Sequence, residues 1–318
     1  MRDFITSLKS ILKRFPRFLT VLRILRDPRY IYHTLQGYFT SPESRKKLRD
    51  VELKIFKRKQ NNTSHTKEIH SQKGFQSLLD DGIVINPIEI DKKLLSNIRA
   101  SLDGKMCHDP ESPEHGYFKA SEKPEGIKRA YYQCEDLGKI PGVLEIGNNS
   151  EILSYVSKYF GAVPIIDSVY AWWSFPSSDK ALTQSYHRDI DTLHQLKFFI
   201  YLTDVDDDSG PHVYIKRSKN INLETIKDKS HEDSEIQQIF PEEDKLTIIG
   251  ESGFNFLGDM FSFHKGLVPK KKPRLLLQFL YSLKRTPFGP KEAYIREDEI
   301  DVSKLGQSYR EVNKYIII

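Results

Sequence analysis

Four residues stand out for the chemistry they could do together. Tyr186-His187-Arg188-Asp189 sets a histidine two residues before a carboxylate, and on an extended chain side chains two apart point the same way. A histidine nitrogen and a carboxylate oxygen can then meet one metal ion. His264 follows 77 residues after His187, and Arg274 comes ten residues later. Two histidines and one carboxylate on one face of an iron ion leave three coordination positions open. Oxygen chemistry needs such positions, two for a chelating keto acid and one for O2. An arginine about one strand away adds a forked, bidentate grip on a distal carboxylate, which lysine cannot give. A single H-x-D is a weak signal in a chain with ten histidines. Its conjunction with His264 and Arg274, at strand ends of a β-rich region, is much stronger.

The elements that must position these residues follow from the hydrophobic pattern. From Val163 onward the chain is rich in β-branched and aromatic residues. Strands are expected over 163–175, 196–205, 212–216, 246–249, 259–263 and 275–283, with Asp206 to Gly210 as a turn. Before them, 83–85 reads as a strand, 91–102 as a helix capped by Asp91, and 150–160 as a helix closed by Gly161. Residues 103–128 read as a long surface loop, of the kind that forms lids. Helices first and then a run of short strands indicate a mainly β fold with α, a jelly roll with helical support.

At this point the chain resembles a known family. The segments SYHRDIDTLHQLKFFIYLTDVDDDSGPHVYIKRS and FHKGLVPKKKPRLLLQFLYS look like the phytanoyl-CoA dioxygenase family of Fe(II)/2-oxoglutarate oxygenases. The resemblance covers roughly residues 75–285 and is most specific over 184–218 and 253–283. It implies a double-stranded β-helix, with Fe(II), 2-oxoglutarate and O2 as reaction partners. By resemblance His187, Asp189 and His264 are the iron ligands, Arg274 binds the distal carboxylate of 2-oxoglutarate, and Gln184 lines the co-substrate pocket. The implied reaction hydroxylates an unactivated C–H bond of a small-molecule or lipid-like substrate, releasing succinate and CO2. Asp189 favours hydroxylation over halogenation, because halogenating relatives replace that carboxylate with a small residue. Two departures are visible. Lys216-Arg217-Ser218-Lys219 stands where the family usually shows Pro-Gly-Ser-His, which alters a loop and not the ligands. Gly266 stands where some members carry a hydroxyl, so the arginine needs a different helper. The rival class is a non-catalytic double-stranded β-helix serving as a binding or scaffold module, and the intact ligand set weighs against it.

The remaining histidines invite blander readings. His194, five residues after Asp189, belongs on the opposite face of a strand, and His212 could face the barrel but reads first as a core or surface residue. His108 and His115 lie in the candidate lid. Of Trp172 and Trp173, one should face the core and one the barrel mouth or a helix. The acidic run from Asp204 to Asp208 lacks EF-hand spacing and reads as a turn. Cys107 and Cys134 form no C-x-x-C pair and read as reduced thiols of a cytoplasmic protein.

Of the 318 residues, 38% are hydrophobic and 29% charged, an ordinary globular composition. The net charge of +5 averages two unlike parts. Residues 1–60 hold 16 Lys/Arg against 5 Asp/Glu, while the rest holds 33 against 39. A basic nucleic-acid groove across the whole fold is therefore not expected. The chain divides at 1–66, a basic amphipathic helical extension with a linker, and 67–318, the oxygenase domain. Phe4, Leu8, Ile11, Phe15, Phe18, Leu22 and Leu25 repeat at helical spacing, with a kink expected at Pro16. Two uses fit that face, packing on the domain or peripheral contact with an anionic membrane through residues 1–26. Residues 44–60 read as a solvated helix. No stretch reaches the ~18 apolar residues of a membrane-spanning helix, and charges interrupt any signal-peptide core.

Overall fold

The computed structural model describes residues 22–39, 41–59, 72–178, 185–221 and 230–318. Most of the basic amphipathic repeat (residues 1–21) and Gln184 lie outside them. The helices that matter for the site are α1 (Arg29–Gln36), α2 (Pro42–Lys59), α3 (Gln72–Asp80), α4 (Lys92–Asp103) and α5 (Ser150–Phe160). Asp91 caps α4 as expected, its carboxylate accepting from the Leu94 amide at 2.8 Å. Gly161 ends α5 in the left-handed region at φ 74°.

The strands are β1 (Ile83–Ile85), β2 (Met106–His108), β3 (Tyr117–Lys119), β4 (Arg129–Tyr132), β5 (Ile165–Ser174), β6 (Gln195–Tyr201), β7 (His212–Ile215), β8 (Lys245–Ile248), β9 (Asn255–Gly258), β10 (His264–Gly266) and β11 (Arg274–Ser282). An eight-stranded sheet runs β1-β9-β6-β11-β5-β4-β2-β3, and a three-stranded sheet runs β10-β7-β8. Neighbouring strands pair antiparallel in both.

Strand β11 shows how sequence builds the layers. Leu275, Leu277, Phe279 and Tyr281 point to one face and join the core that holds Leu95 and Ile98 of α4 and Tyr155 and Phe160 of α5. Arg274, Leu276 and Gln278 point the other way. Leu276 packs there with Phe199, Tyr201, Tyr214 and Phe256, which joins the two sheets face to face. A fully buried strand thus keeps its period of two by alternating hydrocarbon with a few polar groups, and those groups face the interior cavity.

Three expectations change. Residues 259–263 are not a strand. Asp259 accepts from the Phe261 amide through Oδ1 (3.0 Å) and from the Ser262 amide through its carbonyl (3.0 Å). That turn breaks the apolar run after β9, so His264 begins a strand of the small sheet instead of ending one. The 103–128 stretch is not all loop, because it contains β2 and β3. Helix α2 is not simply solvated, since Arg45 and Glu52 are only 1% and 4% exposed.

Candidate functional site

His187 and His264 face each other across an isolated antiparallel bridge. Each amide donates to the other's carbonyl, at 3.0 and 3.1 Å, and the Asp189 amide donates to the Met260 carbonyl at 2.8 Å. Two backbone segments distant in sequence are thereby locked together under the three side chains. The ring geometry repeats itself. His187 Nδ1 donates to the Ser185 carbonyl at 2.9 Å, and His264 Nδ1 donates to the Ser262 carbonyl at 3.0 Å. A carbonyl can only accept, so each ring keeps its proton on Nδ1 and turns the Nε2 lone pair outward. His187 Nε2 lies 3.6 Å from Asp189 Oδ1, and His264 Nε2 lies 3.5 Å from Asp189 Oδ2. Two ligand atoms each about 2.1 Å from one ion at right angles stand about 3 Å apart, so these spacings are close to a ligand set. The three residues offer ligand atoms within 4.8 Å of one another and fit a metal ion.

Protonation matches that use. Burial, helped by the neighbouring His264 ring, pushes His187 down to about 4 and leaves a neutral, ligating imidazole at pH 7. Burial alone would raise the Asp189 carboxyl, but the Lys197 ammonium together with the His264 and His187 rings outweighs it and holds Asp189 well below the usual range. Lys197 on β6 donates to Asp189 Oδ2 at 2.6 Å and pairs with Asp191 at 2.9 Å. Sequence reasoning missed this residue. Its signal was a lysine within the apolar strand HQLKFFIY, two positions before Phe199 and therefore on the cavity face.

Arg274 opens β11 directly across from Ser174 on β5. It is 3% exposed. Its Nη1 donates to the Gly210 carbonyl, its Nη2 reaches Ser174 Oγ at 3.5 Å, and its Nε has no partner among the described residues. Ser174 is thus the helper that Gly266 cannot be. A Cβ on Gly266 would stand 3.2 Å from Arg274 Nη2, so glycine there leaves the guanidinium its space. A buried cation whose bonds go only to neutral groups is costly unless an anion joins it. His187, Asp189, His264, Lys197 and Arg274 all line one cavity of about 230 Å³.

The other candidates separate clearly. His212 faces this cavity instead of the surface, packed against Phe199 and Phe256 with ring centroids at 5.1 and 5.4 Å. Burial and then Arg274 hold it well below its ordinary pKa. Trp172 lines the cavity, while Trp173 points to the helical layer and donates to Tyr132 Oη at 3.0 Å. His108 contacts Tyr117 and Tyr131 outside the cavity lining, and His115 lies near Glu114. The Asp206 carboxylate closes its own turn by accepting from the Asp208 amide at 3.0 Å, and it pairs with Lys272. Cys107 and Cys134 are free thiols.

The loop after Asp189 rests on the N-terminal helices. Gln36 of α1 donates to the Asp191 carbonyl at 3.3 Å, and Arg45 of α2 donates to the Thr192 carbonyl at 3.2 Å. His194 closes that loop ahead of β6, so strand alternation does not set its direction, and its Nδ1 meets Glu52 of α2 at 2.7 Å. Glu52 also accepts from Tyr32 Oη at 2.5 Å and pairs with Lys284 at 2.9 Å. Among the described residues no helix is long and apolar enough to cross a membrane.

No family model matches the chain, and no curated protein matches it in sequence. Solved structures do resemble it. EctD from S. alaskensis with 2-oxoglutarate and 5-hydroxyectoine aligns at 13% identity and a TM-score of 0.50, over 70% of this chain and 80% of that one. EctD from S. alaskensis with bound Fe aligns at 14% identity and a TM-score of 0.50, over 70% and 81%. HygX from Streptomyces hygroscopicus, with nickel, 2-oxoglutarate and hygromycin B bound, aligns at 15% identity and a TM-score of 0.49, over 74% and 94%. At these identities the likeness to EctD is one of fold, and the fold is the double-stranded β-helix with supporting helices.

Proposed function

We propose that this protein is an Fe(II)- and 2-oxoglutarate-dependent dioxygenase of the phytanoyl-CoA dioxygenase type, hydroxylating an unactivated C–H bond and releasing succinate and CO2. The observation that carries this reading is one cavity holding both two histidines with a carboxylate and a buried arginine lacking an anionic partner. The likeness in fold to EctD, a protein solved with iron and with 2-oxoglutarate, supports it. In this reading His187 Nε2, His264 Nε2 and Asp189 hold the metal, which with 2-oxoglutarate and O2 supplies the oxidising power. Arg274 grips the distal carboxylate, steadied by Ser174 and the Gly210 carbonyl. Lys197 fixes the Asp189 carboxylate, and Gln184 borders the co-substrate. The apolar walls contributed by Phe199 and Trp172 keep water away from the reacting centre.

The substrate in this proposal is a small or lipid-like molecule. The catalytic unit is residues 67–318, and residues 1–66 form its extension, with residues 1–26 the segment that would touch a membrane. Liposome sedimentation of the full chain, with and without residues 1–26, tests that contact; equal pelleting removes it. The oxygenase reading is tested by succinate formation from 2-oxoglutarate with Fe(II) and O2. Succinate is expected from the wild type and not from His187→Ala or Asp189→Ala. Formation at equal rates in the variants would refute the assigned ligands.

A further inference from the structure

The cavity holds a second buried arginine with no task in the reaction above. Arg129 on β4 stands directly across from Ser174 on β5, which stands directly across from Arg274 on β11. Directly paired residues share a face of the sheet, so the three side chains form one row facing the cavity. Two strand spacings put Arg129 about 10 Å from Arg274 along that row. The charged groups lining the cavity are Arg129, Lys197, Arg274 and Asp189. Lys197 is matched by Asp189 and Asp191. Arg274 awaits the co-substrate. Arg129 pairs with Glu111, and that carboxylate belongs to the segment between β2 and β3, with its side chain 37% exposed. The Glu111 partner is therefore exchangeable in a way that the buried Lys197 partners are not. Beside it Arg129 Nη1 donates to Tyr131 Oη at 3.2 Å, and the Tyr131 ring stacks on Trp172 with centroids 5.5 Å apart. Both rings line the cavity. An anion anchor thus adjoins a flat aromatic wall.

We propose that Arg129 anchors an oxyanion group of the primary substrate, with the adjoining body of the molecule lying on Tyr131 and Trp172. Glu111 occupies the anchor until that group displaces it. The inference rests on the oxygenase reading and narrows its substrate class to small acids: carboxylates, or phosphate or sulfate esters.

The test uses full-length protein loaded with Zn(II) and 2-oxoglutarate, so that no turnover occurs. Phenylacetate and its neutral counterpart 2-phenylethanol are titrated against intrinsic fluorescence, to which Trp172 and Trp173, the two tryptophans, report. Phenylacetate is expected to bind at least about ten-fold tighter than the alcohol, the range of a charge-assisted hydrogen bond. Arg129→Met is expected to erase the difference. Glu111→Gln, at an exposed position that folding tolerates, is expected to tighten phenylacetate several-fold. Phenyl phosphate in place of phenylacetate separates a phosphate from a carboxylate preference. Equal affinity for acid and alcohol, binding of neither, or no change in both variants would overturn the proposal. So would a loss of 2-oxoglutarate affinity in Arg129→Met as large as that in Arg274→Met. Failure of the wild type to take up Zn(II) and 2-oxoglutarate would instead overturn the oxygenase reading beneath it.

Discussion

Glu52 offers the sharpest view of how the N-terminal helices serve the site, through the substitution Glu52→Gln. The carboxylate is 4% exposed and receives Tyr32, His194 and Lys284 from three separate segments. Hydrogen bonds to a charged group contribute about 1.5–3 kcal/mol each. Glutamine keeps one acceptor and loses the charge, so the net cost is about 3 kcal/mol, the lower end for breaking a buried pair. For 318 residues at about 2.1 cal/mol/K each, that is a Tm lower by about 5 °C. Burial alone would raise the Glu52 pKa, but His194, Tyr32 and Lys284 outweigh it and lower it. A lowered carboxyl contributes stability that is complete above the unfolded value of about 4.3 and fades as pH falls through the folded one. The Tm gap between wild type and variant should therefore close in acid. His194 ends the loop that begins at Asp189, so Zn(II) affinity at 20 °C should also weaken several-fold. Thermal melts from pH 3 to 8 and Zn(II) titration check both. An unchanged Tm would refute the energetics. A lowered Tm with unchanged Zn(II) affinity would refute the link from α2 to the metal loop.

Arg274→Met removes the cation and keeps much of the bulk. 2-Oxoglutarate affinity should fall by about 30-fold or more, with Zn(II) affinity retained, both read by calorimetry; equal loss of both would make Arg274 a structural residue. Asp167 is pushed up to about 6 by burial, although the Thr286 amide and hydroxyl donate to it at 2.7 and 2.6 Å. A raised carboxyl binds its proton more tightly when folded, so stability should fall as pH rises from about 4 to about 6, by about 3 kcal/mol. Asp167→Asn should remove that slope from denaturant titrations, and an identical slope would contradict it.

The site was legible in the sequence because its parts are chemically unusual. A histidine and a carboxylate two apart, a second histidine and an arginine after it can be found without coordinates. The apolar run RLLLQFLYS likewise read as a strand with Arg274 at its opening. What stayed hidden depended on long-range geometry. Lys197 looked like one more charge in a strand until β6 brought it against Asp189. The Asp259 turn was masked by the apolar run FLGDMFSFH. The buried roles of Arg45 and Glu52 could not be read from a helix whose charges look solvated, because Thr192 and His194, which they meet, lie more than 140 residues away. His212 could not be assigned between core, surface and barrel interior, because the face of a short strand after a turn depends on which sheet it joins.

The central claim is that His187, Asp189 and His264 hold iron beside 2-oxoglutarate. Anaerobic Fe(II) titration of the full chain with 2-oxoglutarate tests it most directly. A weak visible charge-transfer band should appear on adding the keto acid and be absent in His187→Ala. No band in the wild type, with 2-oxoglutarate binding unchanged in His187→Ala, would contradict the claim.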